Sequence, residues 1–366
     1  MREWITEIQN IVSLDPVWRE KARERLRKQT RPEGSLGVLE SLLERLVAIQ
    51  KKETPAIHPR PIYVFAADHG VTEEDVSLYP REVTKAMVLN FLKDKATISS
   101  LARYIGSHVR VVDVGVDADF QADGRLINAK IRRGTRNMTR EAAMTPEELN
   151  QALQVGWDLM QKAKTNGMKL IGLGEMGIGN TTAASAVNAA LTGQPVELMT
   201  GRGTGLGDDM LQHKIEVIKR AHALHAKNFT DPLKILQCVG GYEIAAMTGA
   251  ILSAARFSLP VIVDGWIVSA AALTAIRLNP KVLDYLFFAH QSDERGHRYI
   301  LEMLEVKPIL NLSMRLGEAS GAALAMSILE AAVRIYNEVG TFADTGVPNR
   351  KDQPQNVSAR AGRDRR

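Results

Sequence analysis

Two carboxylates stand out by their surroundings in the sequence. Glu175 interrupts a glycine-rich stretch, "GLGEMGIGNTTAAS" (172–185), and Glu318 ends "RLGE", directly before the small, apolar "ASGAALAMSILEAA". A carboxylate at the mouth of such a helix either balances the helix dipole or serves as a general base in a half-dry pocket. Burial raises its pKa while a helix N-terminus lowers it. A base usable near neutrality needs that compromise.

The glycines around Glu175 fit several templates. Gly172, Gly174 and Gly177 spell G-x-G-x-x-G, the dinucleotide fingerprint, whereas Gly174, Gly179, Asn180 and Thr181 spell a P-loop with Asn in place of lysine. The dinucleotide reading requires a ribose-binding acid about 20 residues on. Glu197 stands there, without a convincing strand ending at it. The P-loop reading lacks the lysine that contacts the phosphates. A tight strand–helix turn is a third reading, and Glu175, a charge inside the turn, stands against it. A second cluster, "TGRGTGLGDD" (200–209), alternates Gly201, Gly203, Gly205 and Gly207 before Asp208-Asp209 cap another helix, which carries Lys214. Glycines admit backbone N–H groups to an anion, and a helix N-terminus favours it. Two such loops plus Lys214 suggest one phosphate and a ribose, held without metal.

These residues must be positioned by elements the hydropathy pattern reveals. "PIYVFAAD" (61–68), "HVRVVDVGV" (108–116), "MKLIGLG" (168–174) and "PVIVDG" (260–265) are short β-branched runs, each soon followed by Gly or Asp. "YLFFAHQS" (285–292) and "KPILNLSMRLGE" (307–318) read as two more strand-plus-loop units. Continuous apolarity with helices between indicates a doubly wound, mainly parallel α/β sheet covered on both faces. Its ligands belong beyond the carboxyl ends of the strands, where Asp68-His69, Asp113, Glu175, Asp264, Ser292 and Glu318 gather. Residues about 15 to 52 read as two helices. Ser35 is the expected N-cap of the second, with Leu36, Leu39, Leu42, Leu43, Leu46 and Ile49 on one face.

Composition removes other classes. The 366 residues hold one cysteine, Cys238, which rules out an internal disulfide and a multi-thiolate metal site and suits a reducing compartment. "MREWITEIQN" is no signal peptide, so a cytoplasmic location is expected. The apolar run 259–276 carries Asp264 and reads as a buried strand and helix rather than a membrane span. Residues 349–366 hold six Lys/Arg against two Asp, +4 of the net +5, and read as a disordered basic tail rather than a nucleic-acid surface. Asp68-His69 reads as a hydrogen-bonded turn rather than a metal pair, and His222/His225 as a solvated helix face. Cys238 reads as a small buried hydrophobe, and His290/His297 have no assigned role.

"RPEGSLGVLE", "AADHGV", "VDVGVDAD", "RRGTRNMTREAAMT", "GLGEMGIGNTTAAS", "TGRGTGLGDD" and "RLGEASGAALA" follow one another in this order. Over roughly residues 15 to 345 the chain resembles the nicotinate-nucleotide–dimethylbenzimidazole phosphoribosyltransferases, which make the lower-ligand nucleotide of cobalamin. The resemblance implies transfer of ribosyl phosphate from nicotinate mononucleotide to 5,6-dimethylbenzimidazole with inversion at C1′, and no cofactor. It implies Glu318 as the base and Glu175 beside the ribose or the developing oxocarbenium charge. Phosphate and ribose contacts would fall on Gly177, Asn180, Thr181, Gly203, Thr204 and Lys214. Asp264, Ser292 and Arg315 would surround the nicotinate end. Tyr79, Met87 and Asn90 are candidates for the base pocket.

It further implies a homodimer whose subunit has a Rossmann-like domain (56–319) and a helical domain of residues 1–55 joined by a helix at 320–340. The base-pocket segment departs from the family pattern: Ala86 replaces a common Gln, and Asp94-Lys95 a glycine pair. Plain benzimidazole, a methoxylated one or a purine are therefore alternative acceptors. An NAD-dependent oxidoreductase and a non-catalytic nucleotide-binding protein are the competing functional readings.

Overall fold

The computed structural model describes residues 3–203 and 205–349, so Thr204 and the tail from Arg350 lie outside the described residues. Six strands form one parallel sheet: β1 (Ile62–Ala67), β2 (Val109–Gly115), β3 (Leu126–Asn128), β4 (Ile171–Met176), β5 (Val261–Val263) and β6 (Leu286–Phe288). Their order is β3-β2-β1-β4-β5-β6. Every residue of β1, β5 and β6 is buried, so both faces of the sheet are covered. That explains the unbroken apolar runs in the sequence.

The strand order reverses at β1. From β3 the chain passes through the Pro146–Thr165 helix, started by a Thr145/Glu148 capping box, and returns as β4 on the other side of β1. Loops leaving β1 and β4 therefore diverge and open a crevice at the carboxyl ends. The crossover helix packs on the Tyr242–Arg256 helix without spacers. A Cβ at Gly156 would overlap the Ala246 carbonyl, and one at Gly249 the Leu153 carbonyl.

The glycines of the ambiguous fingerprint acquire separate physical roles here. Gly172 and Gly174 let the Ser320–Glu338 helix approach β4. A Cβ at Gly174 would overlap the Ala319 backbone N, and one at Gly172 would meet the Met326 methyl at 2.8 Å. Gly177 lies against the Ala67 carbonyl of β1. Gly179, at φ 92°, is the N-cap of the Asn180–Thr192 helix, a conformation that favours glycine. The Ser320–Glu338 helix also packs on the Val38–Gln50 helix, bringing the two ends of the chain together.

Two expectations fail. Residues 307–318 form no strand; only Leu310 makes an isolated bridge, to His290. Ser313, Gly317, Glu318 and Ala319 all have positive φ, which no extended ladder accommodates. Ser35 does not cap the second helix, which starts at Val38 behind Gly37 at φ 54°; the Ser35 Oγ instead accepts from Arg31 Nη1 at 3.3 Å. β3 was not anticipated, being three residues long and only half-buried.

The two helix-facing glycines of β4 should respond differently to a methyl group. Gly172→Ala meets the movable end of Met326 and should cost under about 1 kcal/mol, partly offset by the stiffer unfolded chain. Gly174→Ala meets backbone and should cost about 1–3 kcal/mol. Paired denaturant titrations measure the difference.

Candidate active site

The crevice collects its polar side chains from the ends of β4, β5 and β6 and from the approach to the last long helix. Glu175, Gly177, Asn180, Thr181, Gly203, Asp264, Ser292, Arg315 and Glu318, all singled out from the sequence, line one cavity. Lys214 joins it through Thr181. Tyr79, Met87 and Asn90 are not among that cavity's lining residues: Tyr79 is half exposed before the Val83–Leu92 helix, and Met87 and Asn90 are half-buried on it. Asp94, in place of a family glycine, keeps the left-handed conformation (φ 55°) and is tied to Arg125 Nη1 at 2.6 Å.

One end of the cavity meets a helix N-terminus and a buried lysine. Thr181 opens the Asn180–Thr192 helix, whose first N–H groups have no helical acceptor. Its Oγ1 accepts from Lys214 Nζ at 2.8 Å. The lysine comes from the Asp208–His225 helix and is 1% exposed. Burial lowers its pKa to about 8, against the pull of Glu294. The fold thus brings to the glycine stretch a lysine that its own sequence lacks, from 33 residues downstream of Thr181.

Gly203 is held from both sides, its N–H donating to Glu294 Oε1 at 2.8 Å and its carbonyl accepting from Arg315 Nη1 at 3.0 Å. Glu294 lines the cavity and escaped sequence reasoning, although "QSDERG" lies beside the expected β6 loop. The loop bearing it hangs on His297. The ring's Nδ1 accepts from the Ser292 backbone N at 2.8 Å, so Nε2 carries the proton toward Ser269 Oγ at 2.9 Å. Burial, with His290 nearby, lowers the His297 pKa to about 3, so the ring is a fixed neutral strut.

The other end is acidic and dry. Glu175 accepts from Asn180 Nδ2 in a short hydrogen bond and lies against Gly317, where a Cβ would overlap Oε1. Burial, then Asp264 and Glu243, push Glu175 up to about 8, with Glu318 adding a smaller effect. Asp264 follows β5 and receives the Ala322 N–H at 2.8 Å, capping the Ser320–Glu338 helix; burial raises it to about 7. Gly317, Glu318 and Ala319 stand consecutively at φ 85°, 63° and 69°. Non-glycine residues there cost roughly 1–2 kcal/mol each. This strained turn presents Glu318, which is 6% exposed, with Oε2 lacking any hydrogen-bond partner. Burial raises its pKa, opposed by the Ile98 backbone N–H.

Asp68-His69 lies beside the crevice rather than in it. His69 Nε2 pairs with Glu243 Oε1 at 2.8 Å, and Asp68 Oδ2 accepts from the Asp117 N at 2.7 Å. His222 and His225 are not a solvated face. They contact the Ala186 and Met138 carbonyls at 2.9 Å each, because this side of their helix packs inward. Cys238 is buried, as expected. Among the described residues no group of His, Cys, Asp and Glu could hold a metal ion, and no helix is long and apolar enough to cross a membrane. Glu197, the acid a dinucleotide would need, is exposed and paired with Lys219 at 2.7 Å.

Residues 11–347 match the family model described as phosphoribosyltransferase. A nicotinate-nucleotide–dimethylbenzimidazole phosphoribosyltransferase of Geobacter sulfurreducens is 50% identical over 93% of this chain and 97% of its own. That of Chlorobaculum tepidum is 46% identical over 88% and 92%. The crystal structure of the Thermus thermophilus enzyme superposes with a TM-score of 0.86 at 42% identity, covering 92% of this chain and all of that one. With its glycine loops, its strained acidic turn and these relatives, the chain belongs to the nicotinate-nucleotide–dimethylbenzimidazole phosphoribosyltransferase family.

Proposed function

We propose that this enzyme transfers the 5-phosphoribosyl group of nicotinate mononucleotide to 5,6-dimethylbenzimidazole or a related base, forming the α-riboside phosphate used in cobalamin. The observation that carries the mechanism is the unpartnered, buried Glu318 oxygen on its left-handed turn. One benzimidazole nitrogen attacks C1′ from the face opposite the nicotinate while the proton on its other nitrogen passes to Glu318. The C1′–N electron pair returns to the pyridine nitrogen, so the departing nicotinate needs no acid. Backbone strain holds the base in place before substrate arrives, which is useful where positioning lowers the barrier.

Thr181, Lys214, Gly203 and Asn180, with Thr204 and Gly177, take the phosphate and ribose in this reading; Ser292 and Arg315 border the nicotinate. Asp264 acts there as a positioning residue through its bond to Ala322. Burial pushes Glu175 up to about 8, and the pyridinium ring of the nucleotide draws it toward its carboxylate form, which then faces the oxocarbenium charge. Tyr79, Met87 and Asn90, which do not line the Glu318 cavity, would contact the base only from beyond it, around the Val83–Leu92 helix. The homodimer, the cytoplasmic location and the two-part division at residues 1–55 with 320–340 and 56–319 belong to the same reading. A dinucleotide oxidoreductase is disfavoured by the packing roles of Gly172 and Gly174.

Glu318→Gln should lower kcat by about 10²–10⁴ with little change in the KM for nicotinate mononucleotide. Mass detection of riboside phosphate across a panel of bases reads this. Absence of product from the wild type with every base would overturn the assignment. The pH profile should fall on the acid side around a Glu318 midpoint above the ordinary 4.5, since the proton must be off. The nucleotide KM should rise above about pH 8 as Lys214 loses its charge.

Glu175 makes a stability statement too. A carboxyl raised to about 8 binds its proton in the folded state, so stability is full below the unfolded pKa and declines as pH rises to 8. Glu175→Gln should therefore stabilise the ligand-free chain at pH 8 by roughly 1–3 kcal/mol while lowering turnover, measured by urea titration at pH 5 and pH 8.

A further inference from the structure

A second cavity, of about 720 Å³, opens at the opposite, amino end of the sheet. It takes Tyr63 from the start of β1, His108 from just before β2, Arg110 from the start of β2, and Leu159 and Lys162 from the last turns of the Pro146–Thr165 helix. Among the described residues it is lined by five basic side chains, His58, Arg60, His108, Arg110 and Lys162, and by no aspartate or glutamate. Elsewhere on this chain surface arginines meet carboxylates, as Arg133 meets Asp119 at 2.6 Å and Arg23 meets Glu44 at 2.9 Å. His58 and Arg60 share Glu330. Arg110, Lys162 and His108 form no ion pair among the described residues, and Arg60, 3% exposed, keeps an unpartnered Nε–H. Unscreened like charges on one wall raise the local concentration of an anion.

The remaining walls are apolar. Pro59, Pro61, Ile127, Leu159 and Met168 line them, and Tyr63 stands in register beside Arg110 on the neighbouring strand. Small-molecule sites of this size are largely apolar with a few placed polar groups. We propose that this cavity binds an anionic small molecule of the nucleoside monophosphate class. Its flat body lies between Tyr63 and the helix, and its phosphate meets Arg110, Lys162 and His108. The whole sheet separates it from Glu175 and Glu318, so it is a second site and not an extension of the first.

Photolabelling of the full-length chain with 8-azidoadenosine 5′-monophosphate, with excess nicotinate mononucleotide present, tests this by position. Label within residues 58–63, 106–110 or 159–168 is the expected result. Label confined to the loops around 175–181 and 201–214, or no label, would overturn the proposal. Arg110→Glu with Lys162→Glu should weaken adenosine 5′-monophosphate binding by about tenfold or more and leave phosphoribosyl transfer unchanged. Unaltered binding would count against it, as would an assembly in which a second copy of the chain fills the cavity. Because the label is read by position, failure here is distinct from failure of the transfer reaction.

Discussion

Everything in the crevice depends on how closely the Ser320–Glu338 helix can approach β4. Gly174 admits the Ala319 backbone, and Asp264 draws in the same helix end by its bond to Ala322. With the helix seated there, the three residues before it have no regular path and take up left-handed conformations one after another. Strain of that kind persists only where surrounding contacts over-determine it. The consequence is a carboxylate fixed in a dry place, without partners for one of its oxygens.

The same closeness sets the electrostatics. Glu175, Asp264 and Glu318 come from three separate elements and share one poorly solvated space; burial discourages ionisation of all three, Asp264 and Glu318 add to this at Glu175, and Glu318 adds to it at Asp264. The first two are pushed to about 8 and about 7. Acids held this high resist ionisation and give up their protons more readily beside positive charge. The Lys214 end inverts this logic. There Lys214 is held at about 8 by burial, and a dianion beside it would restore its charge.

Much of this was legible in the residues. The β1, β2, β4, β5 and β6 runs read correctly because strands buried on both faces cannot alternate, and Glu175, Asp264 and Ser292 were found because they stand at or just beyond the ends of β4, β5 and β6. Three failures share one cause, that tertiary contact overrides local pattern. Residues 307–318 have strand-like composition but are bent by the turn that carries Glu318. Ser35 looks like a cap, yet the helix starts behind Gly37. His222 and His225 look like a surface pair, yet their helix packs them inward. Glu294 was missed because its role, holding Gly203, spans 91 residues of sequence, and no spacing rule reaches that far.

The glycine stretch that suggested a nucleotide cassette is not one. In a P-loop the phosphate lysine travels with the loop, and the motif is recognisable as a contiguous peptide. Here the cation arrives on a different helix and meets Thr181 only when that helix docks. No single segment could be transplanted with both Thr181 and the lysine that meets it. If the proposed phosphate binds there, its occupancy and the docking of the Asp208–His225 helix are thermodynamically linked: each favours the other, and a bound nucleotide should protect that helix's amides from hydrogen exchange beyond its own footprint.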